Sequence, residues 1–393
     1  MPEFVVLRNL AAARTASGFE FGAAASPQRV VPEPRVETHD MSLREALSAS
    51  RDPEVAAVAV PMPIKLIAPV AVRAARAATG DAWGVAAVKA DTSPVTGSGV
   101  IVAVLDTGID RTHPAFAGIE IVEKDFSGDG NGDKQGHGSH CAGTIFGRDV
   151  GGRRIGIARG VDKALIGKVL GDRGGGSSEM IFRGIQWALD EGAHVISMSL
   201  GFDFPGAVKN MEGSGMPTEP AVSNALEAYR SNLRFFDALM QMVKATAAFR
   251  QTAVVVAATG NESARGLPKP YTIAASLPAA AEGVVSVAAL MRGTGGKLGI
   301  ADFSNTMPEV AAPGVDILSV KAGGGLRTMS GTSMACPHVA GVAALWWEAL
   351  RSSGSRVTAN AVVANLLARA RTDVFAAGVN PEDRGNGVVS APQ

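Results

Sequence analysis

Three short segments bring together residues whose types and spacing can do chemistry. They are Asp106 in Val102-Ala-Val-Leu-Asp-Thr-Gly-Ile-Asp110, His137 in Gly136-His-Gly-Ser-His-Cys-Ala-Gly-Thr144, and Ser333 in Gly331-Thr-Ser-Met-Ala-Cys-Pro-His-Val-Ala-Gly341. A hydroxyl, an imidazole that takes its proton and a carboxylate that orients the imidazole are the parts needed for acyl transfer through a covalent intermediate. Taken singly, each residue has a commoner role. An aspartate after a strand often caps a turn, a lone histidine is more often packed than catalytic, and a serine at a helix start is usually a cap. The case therefore rests on the elements that would bring the three together.

Val100–Leu105 is apolar at every position, as a parallel strand covered on both faces must be, and it delivers Asp106 at its carboxyl end, where open α/β sheets place their sites. Further strands are read at Leu165–Val169, Val195–Met198, Ala253–Ala258 and Val284–Ala288. Helical periods are read at His137–Phe146, Ser177–Glu191, Pro220–Phe249, Ser333–Arg351 and Thr358–Arg371. Ser333 then opens a helix, close to its ring of free backbone N–H groups, which suits a nucleophile that generates an oxyanion. Pro337 falls near the first turn, where its missing N–H costs least. The amino-terminal stretch reads differently, as a small α+β module. Strands are expected at Phe4–Arg8, Arg35–Asp40 and Val55–Val60, with a helix over Ser42–Ser50 capped by Ser42 and Glu45. An apolar tail through Pro69 leads into Val70–Ala78, a helix or an exposed link.

Together the three segments resemble the signatures of the subtilisin-like serine proteases, in the chain order of that family. The resemblance covers about Trp83 to Ala391 and implies a three-layer α/β fold with a mostly parallel central sheet. It implies Asp106, His137 and Ser333 as the catalytic triad of an endopeptidase, and Asn261, at the end of Ala253–Ala258, as the oxyanion donor. It further implies that Ser199, Leu200 and Gly201 bind an extended peptide as an added strand, with Ala257, Ala258, Thr259 and Gly260 walling the pocket for the P1 residue. Small apolar walls suggest an uncharged P1 residue. Residues 1–78 resemble the family's prosegments, best at Asp52-Pro-Glu-Val-Ala-Ala-Val, which implies a zymogen whose own amino-terminal segment inhibits it. Residues 79–393 would be the catalytic domain. An unrelated docking segment is the alternative for the first unit.

Composition narrows the partners. Lys+Arg and Asp+Glu both total 37, so no global field recruits nucleic acid or an anionic membrane, and the partner is expected to be a protein or peptide. No run reaches the roughly 18 apolar residues of a membrane span, and no signal-peptide core follows Met1, which predicts a cytoplasmic protein unless a leader is missing. Cys141 and Cys336 are expected as free thiols beneath the site. No cofactor is expected. Structural calcium is not supported, because Ala115 follows His113-Pro114 where calcium-binding relatives carry an aspartate. Asp129-Gly-Asn-Gly-Asp133 imitates a calcium loop but continues with Lys134.

Zinc and nucleotide sites fail on spacing: His137, His140 and Cys141 lack a His-Glu-x-x-His pattern, and Gly293–Lys297 lacks the first glycine and the hydroxyl of a phosphate loop. A silent binding fold or a peptide ligase remains as a rival. Residues 202–252 form a long connection with a stripe at Val222, Leu226, Tyr229, Leu233, Phe236, Met240 and Val243. It predicts a core-facing helix, with a lid over the cleft as the alternative.

Overall fold

Alternating apolar residues in the first segments build a small antiparallel sheet. In the computed structural model, which describes residues 1–11, 31–70, 82–247, 252–354 and 356–393, β1 (Glu3–Asn9) lies between β2 (Pro34–Asp40) and β3 (Val55–Ala59). Helix α1 (Leu43–Ala49) starts on the expected capping box. Ser42 Oγ accepts from the Glu45 N–H, and the Ser42 N–H donates to Glu45 Oε2 at 2.7 Å. The chain then forms β4 (Pro63–Leu66), a strand that is not among those expected from the sequence. The expected domain boundary at 78/79, most of the link after Val70 and the expected helix end at Phe249 lie outside the described residues.

The larger body starts with α2 (Trp83–Ala87) and continues as β5 (Ile101–Asp106), β6 (Glu120–Asp125), α3 (His137–Phe146), β7 (Lys163–Lys168), β8 (Gly175–Ser177), α4 (Ser178–Asp190), β9 (Val195–Met198) and β10 (Leu200–Phe202). After α5 (Phe204–Gly213) and α6 (Thr218–Thr246) come β11 (Val254–Ala258), β12 (Val284–Arg292), β13 (Leu298–Ile300), β14 (Val310–Pro313), β15 (Ile317–Val320), β16 (Leu326–Met329), α7 (Thr332–Ser352) and α8 (Ala359–Ala368). The central sheet runs β13-β12-β11-β9-β5-β7-β6 with β14 also on β12, and only β13 is antiparallel. This is the mostly parallel α/β fold expected.

The period of two along each strand divides the core. Val102 and Val104 of β5 pack on the side of α3 and α7, with Cys141, Ile145, Val339 and Ala343. Ala103 and Leu105 pack on the other side, with Ile181, Phe182 and Phe235 of α4 and α6. Val5, Leu7 and Ala59 of the amino-terminal sheet join that second core, so the small unit sits on the α4/α6 face. Phe182 anchors it, with ring centroids 4.0 Å from Phe235 and 4.8 Å from Phe236. Each such fully buried side chain contributes about 1.5–3 kcal/mol over an exposed one.

The stripe on α6 differs from its reading. Phe236, Met240 and Val243 are buried as expected, but Val222 and Leu226 are 39% and 49% exposed, and Ala221, Ala225, Ala228 and Asn232 face inward instead. The physical reason is the neighbours: α6 packs against both β3 and α5, and small inward residues let these elements approach closely. Asn232 is fully buried and its Nδ2 donates to the carbonyl of Val60 at 2.7 Å, holding the chain where it leaves β3 for β4.

Three histidines are packed in the body as hydrogen-bonded neutral rings. His140 Nε2 meets the Ile317 carbonyl, His338 Nδ1 meets the Met334 carbonyl, and His194 Nδ1 accepts from the Ile101 N–H. Burial pushes His140 down to about 3 and His338 and His194 to about 4. An unfolded chain takes up these protons near pH 6.5, whereas the folded chain resists them until pH 3–4. Stability is therefore complete above the ordinary histidine value and is lost as pH falls through this window. Urea unfolding of Ser333→Ala is expected to give a stability lower by on the order of 3 kcal/mol at about pH 5.5 than at about pH 7.5. A difference below about 1 kcal/mol would contradict neutral burial of these rings.

Candidate active site

The carboxyl end of β5 and the amino end of α3 meet at the first pair of expected residues. His137 Nδ1 lies 2.8 Å from Asp106 Oδ1 and 3.1 Å from Oδ2, and both side chains are fully buried. Asp106 Oδ1 also accepts from the Thr107 N–H at 2.8 Å, so the carboxylate is fixed from two sides. The close approach requires Gly138: a Cβ there would lie 2.2 Å from the Gly108 carbonyl oxygen. Gly136, at φ 82°, supplies the left-handed turn that starts α3.

Asp133, singled out in the sequence only as part of a weak calcium-loop pattern, is what locks these two elements together. Its Oδ1 accepts from Thr107 Oγ1 at 2.8 Å and from the Gly136 N–H at 2.7 Å. Its Oδ2 accepts from the Ser139 N–H at 2.8 Å and from Ser139 Oγ at 2.7 Å. Ser139 Oγ in turn accepts from the Asp110 N–H. Asp129 of the same loop accepts from the Asp172 N–H. These carboxylates are thus turned to protein donors, which is the geometry of a helix cap and a loop tether. Ala115 is fully buried, its N–H donating to His113 Nδ1.

Ser333 is the second residue of α7 and also fully buried. Its Oγ does not bond His137. It donates to the carbonyl of Ile67 at 2.8 Å, with the Ser199 carbonyl at 3.4 Å, and His137 Nε2 is buried without a hydrogen-bond partner. The Ser333 carbonyl accepts from Ser199 Oγ at 3.1 Å and Cys141 Sγ at 3.4 Å. Asn261 stands opposite. Its Oδ1 accepts from both the N–H and Oγ1 of Thr332, each at 2.9 Å, which forces Nδ2 into the cleft, where it donates to the Ala68 carbonyl at 2.9 Å. Thr332 is a residue that reading the sequence for nucleophiles passes over. Asn305 is another: fully buried, it accepts from the N–H groups of Glu262 and Ser263 and donates to the Thr259 carbonyl, holding the turn that carries Asn261.

The cleft between these groups is filled by the chain itself. β4 is the middle strand of a three-stranded sheet, antiparallel to β10 on one side and β8 on the other. Leu66 lies opposite Leu200, and Lys65 opposite Gly201, while the Leu66 N–H donates to the Gly174 carbonyl at 2.8 Å and the Val70 N–H to the Ser330 carbonyl at 2.7 Å. Of the expected peptide-binding residues, Ser199, Leu200 and Gly201 are therefore beside an extended segment. Ala257 and Ala258 are fully buried in the sheet, Thr259 Oγ1 donates to the Val287 carbonyl, and the Gly260 N–H donates to Thr332 Oγ1.

Both cysteines are buried and free. Burial pushes the Cys141 thiol well up and that of Cys336 up to about 11, so both are held as thiols. Cys141 Sγ lies 3.7 Å from His137 Nδ1.

Comparison with known proteins gives one consistent result. Residues 97–387 match the family described as the subtilase family. The chain is 34% identical over 302 residues to an intracellular serine protease of Paenibacillus polymyxa, a match covering 75% of this chain and 79% of that protein. It is 36% identical over 275 residues to subtilisin-like protease 6 of Trichophyton equinum, and 34% identical over 270 residues to the M-protease of Shouchella clausii (strain KSM-K16). Each of those two matches covers 67% of this chain, but only 57% and 58% of the relative.

The thiol beside the imidazole has a measurable consequence. An organomercurial in stoichiometric amount is expected to abolish labelling of Ser333 by a fluorophosphonate probe, slowly because the thiol is buried, and Cys141→Ala is expected to resist. Undiminished labelling of fully mercurated protein would show that Sγ has no hold on the ring.

Proposed function

The chain belongs to the subtilase family and is a subtilisin-like serine peptidase, and on that premise we propose that it is an endopeptidase with Ser333 as nucleophile, His137 as general base and Asp106 as its orienting carboxylate. His137 takes the Ser333 proton as Oγ attacks a peptide carbonyl, then gives it to the leaving amine. Asp106 holds the Nδ1–H tautomer and stabilises the imidazolium. Asn261 Nδ2 and the Ser333 backbone N–H receive the oxyanion, and water releases the acyl group by the same steps in reverse. A chain segment already lying with a carbonyl 2.8 Å from Ser333 Oγ, beside the Asn261 amide, is the observation that carries this reading.

The same segment supports a zymogen. Cleavage needs the Ile67 oxygen on the Asn261 amide and the Ser333 proton directed at His137 Nε2. Instead the serine gives its hydrogen bond to the Ile67 oxygen, and Asn261 is engaged by the next carbonyl, that of Ala68. The amino-terminal unit thus acts as an intramolecular inhibitor seated as a substrate strand. The substrates in this reading are proteins or peptides. No helix among the described residues is long and apolar enough to cross a membrane, and action inside the cell follows the relative named as an intracellular protease. No cofactor enters the mechanism.

A fluorophosphonate probe is expected to label the wild type and not Ser333→Ala, and intact mass is expected to show shortening of the wild type alone. An unlabelled wild type would favour a silent binding fold, and joined peptides in the product spectrum would favour a ligase. Asn261→Ala is expected to lose about 100- to 1000-fold in kcat, a magnitude of 2.7–4 kcal/mol known from subtilisin itself.

A further inference from the structure

The backbone pairing that seats β4 also fixes where each of its side chains goes. Ile67 presents its carbonyl to Ser333, so Lys65, two residues before it, occupies the position a substrate's P3 residue would take, opposite Gly201. Lys65 Nζ lies 3.1 Å from Asp203 Oδ1 and 3.9 Å from Glu262 Oε1. These two carboxylates come from separate parts of the chain. Asp203 follows β10 and caps α5, accepting from the Gly206 N–H, and Glu262 directly follows Asn261.

Both carboxylates are held before any peptide arrives. The cap fixes Asp203, and Asn305 Nδ2 donates to Glu262 Oε2 at 2.8 Å. Among the described residues Lys65 is the sole cation paired with either one. When β4 leaves the cleft, two oriented negative groups face the P3 position without a counter-charge.

We infer that Asp203 and Glu262 form an acidic subsite that selects lysine or arginine two residues before the P1 residue of peptide substrates, with Lys65 as its intramolecular occupant. This inference rests on the peptidase reading above. The selecting force is a pair of ion pairs at a half-exposed rim, which fits a preference of about 5-fold that salt suppresses. Register makes the preference positional: β10 and β8 add hydrogen bonds to any extended peptide, and alternation then sends its P3 side chain to the same two carboxylates.

Two measurements on the full chain test it. In a Ser333→Ala background, amide exchange at Lys65 and Leu66 is expected to rise about 5-fold with Lys65→Gln and more with Lys65→Glu, and to fall back when Lys65→Glu is combined with Asp203→Lys. With wild type brought to constant activity, an internally quenched peptide carrying Lys at P3 is expected to exceed its Gln counterpart in kcat/KM by about 5-fold at low salt. That ratio should approach one at about 1 M salt and in Asp203→Asn with Glu262→Gln. Exchange insensitive to residue 65, or a Lys-to-Gln ratio near one at low salt, overturns the inference. Failure of every peptide together with an unlabelled Ser333 would instead overturn the peptidase reading, and the charge-swap exchange would still decide whether the acidic pair holds a cation.

Discussion

Backbone hydrogen bonding along both edges of Pro63–Leu66 is the constraint on which the arrangement of this molecule depends. A strand paired on one side only could slide, but one paired antiparallel to β8 and to β10 has its register fixed twice. From that register follow the Ile67 carbonyl at Ser333, the Ala68 carbonyl at Asn261 and the Lys65 ammonium between two carboxylates. Helices α4 and α6 reinforce the same register from a distance. Ser178 at the start of α4 binds Met62 through both its N–H and its hydroxyl, and Asn232 binds Val60, so the chain enters the cleft at one fixed point.

Beneath that strand the site is a set of loop ends tied to one another. Asp133 makes four bonds that hold the Asp106 strand against the His137 helix, while Thr332 and Asn305 hold the turn that aims Asn261. These residues do no chemistry in the proposed mechanism, yet they determine whether groups from distant positions in the chain meet within hydrogen-bonding distance. The surrounding packing is close enough that Gly138 has no room for a Cβ. A rigid frame of this kind suits a reaction whose rate depends on preorganised donors.

Much of this was legible in the residues, for identifiable reasons. The sequence predicts β9 at its observed bounds and β5 and β11 within one residue at each end, because strands buried on both faces are uninterrupted apolar runs, and it predicts the helix α3 over His137–Phe146 as observed. Asp106, His137 and Ser333 stand out through short motifs of unusual composition, and Asn261 follows only from the family resemblance and its place after the Ala253–Ala258 strand. What stayed hidden has equally physical causes. β4 alternates over only four residues and begins with a proline, so its period is too brief to mark a strand without its two partners. The inward face of α6 differs from the bulky stripe along its first half because alanines fill it there, whereas periodicity counts only bulky residues. Asp133, Thr332 and Asn305 have ordinary side chains whose roles exist only once the chain has folded.

Because β4 and β5 belong to one covalent chain, the strand in the cleft faces its site at a local concentration set by the tether and not by the amount of protein in solution. For short connections that effective concentration is on the order of millimolar, so even modest contacts keep the cleft filled. A single break anywhere between Val70 and Val100 would turn the same contacts into an ordinary bimolecular equilibrium. Dilution, which has no effect on the intact chain, would then empty the cleft.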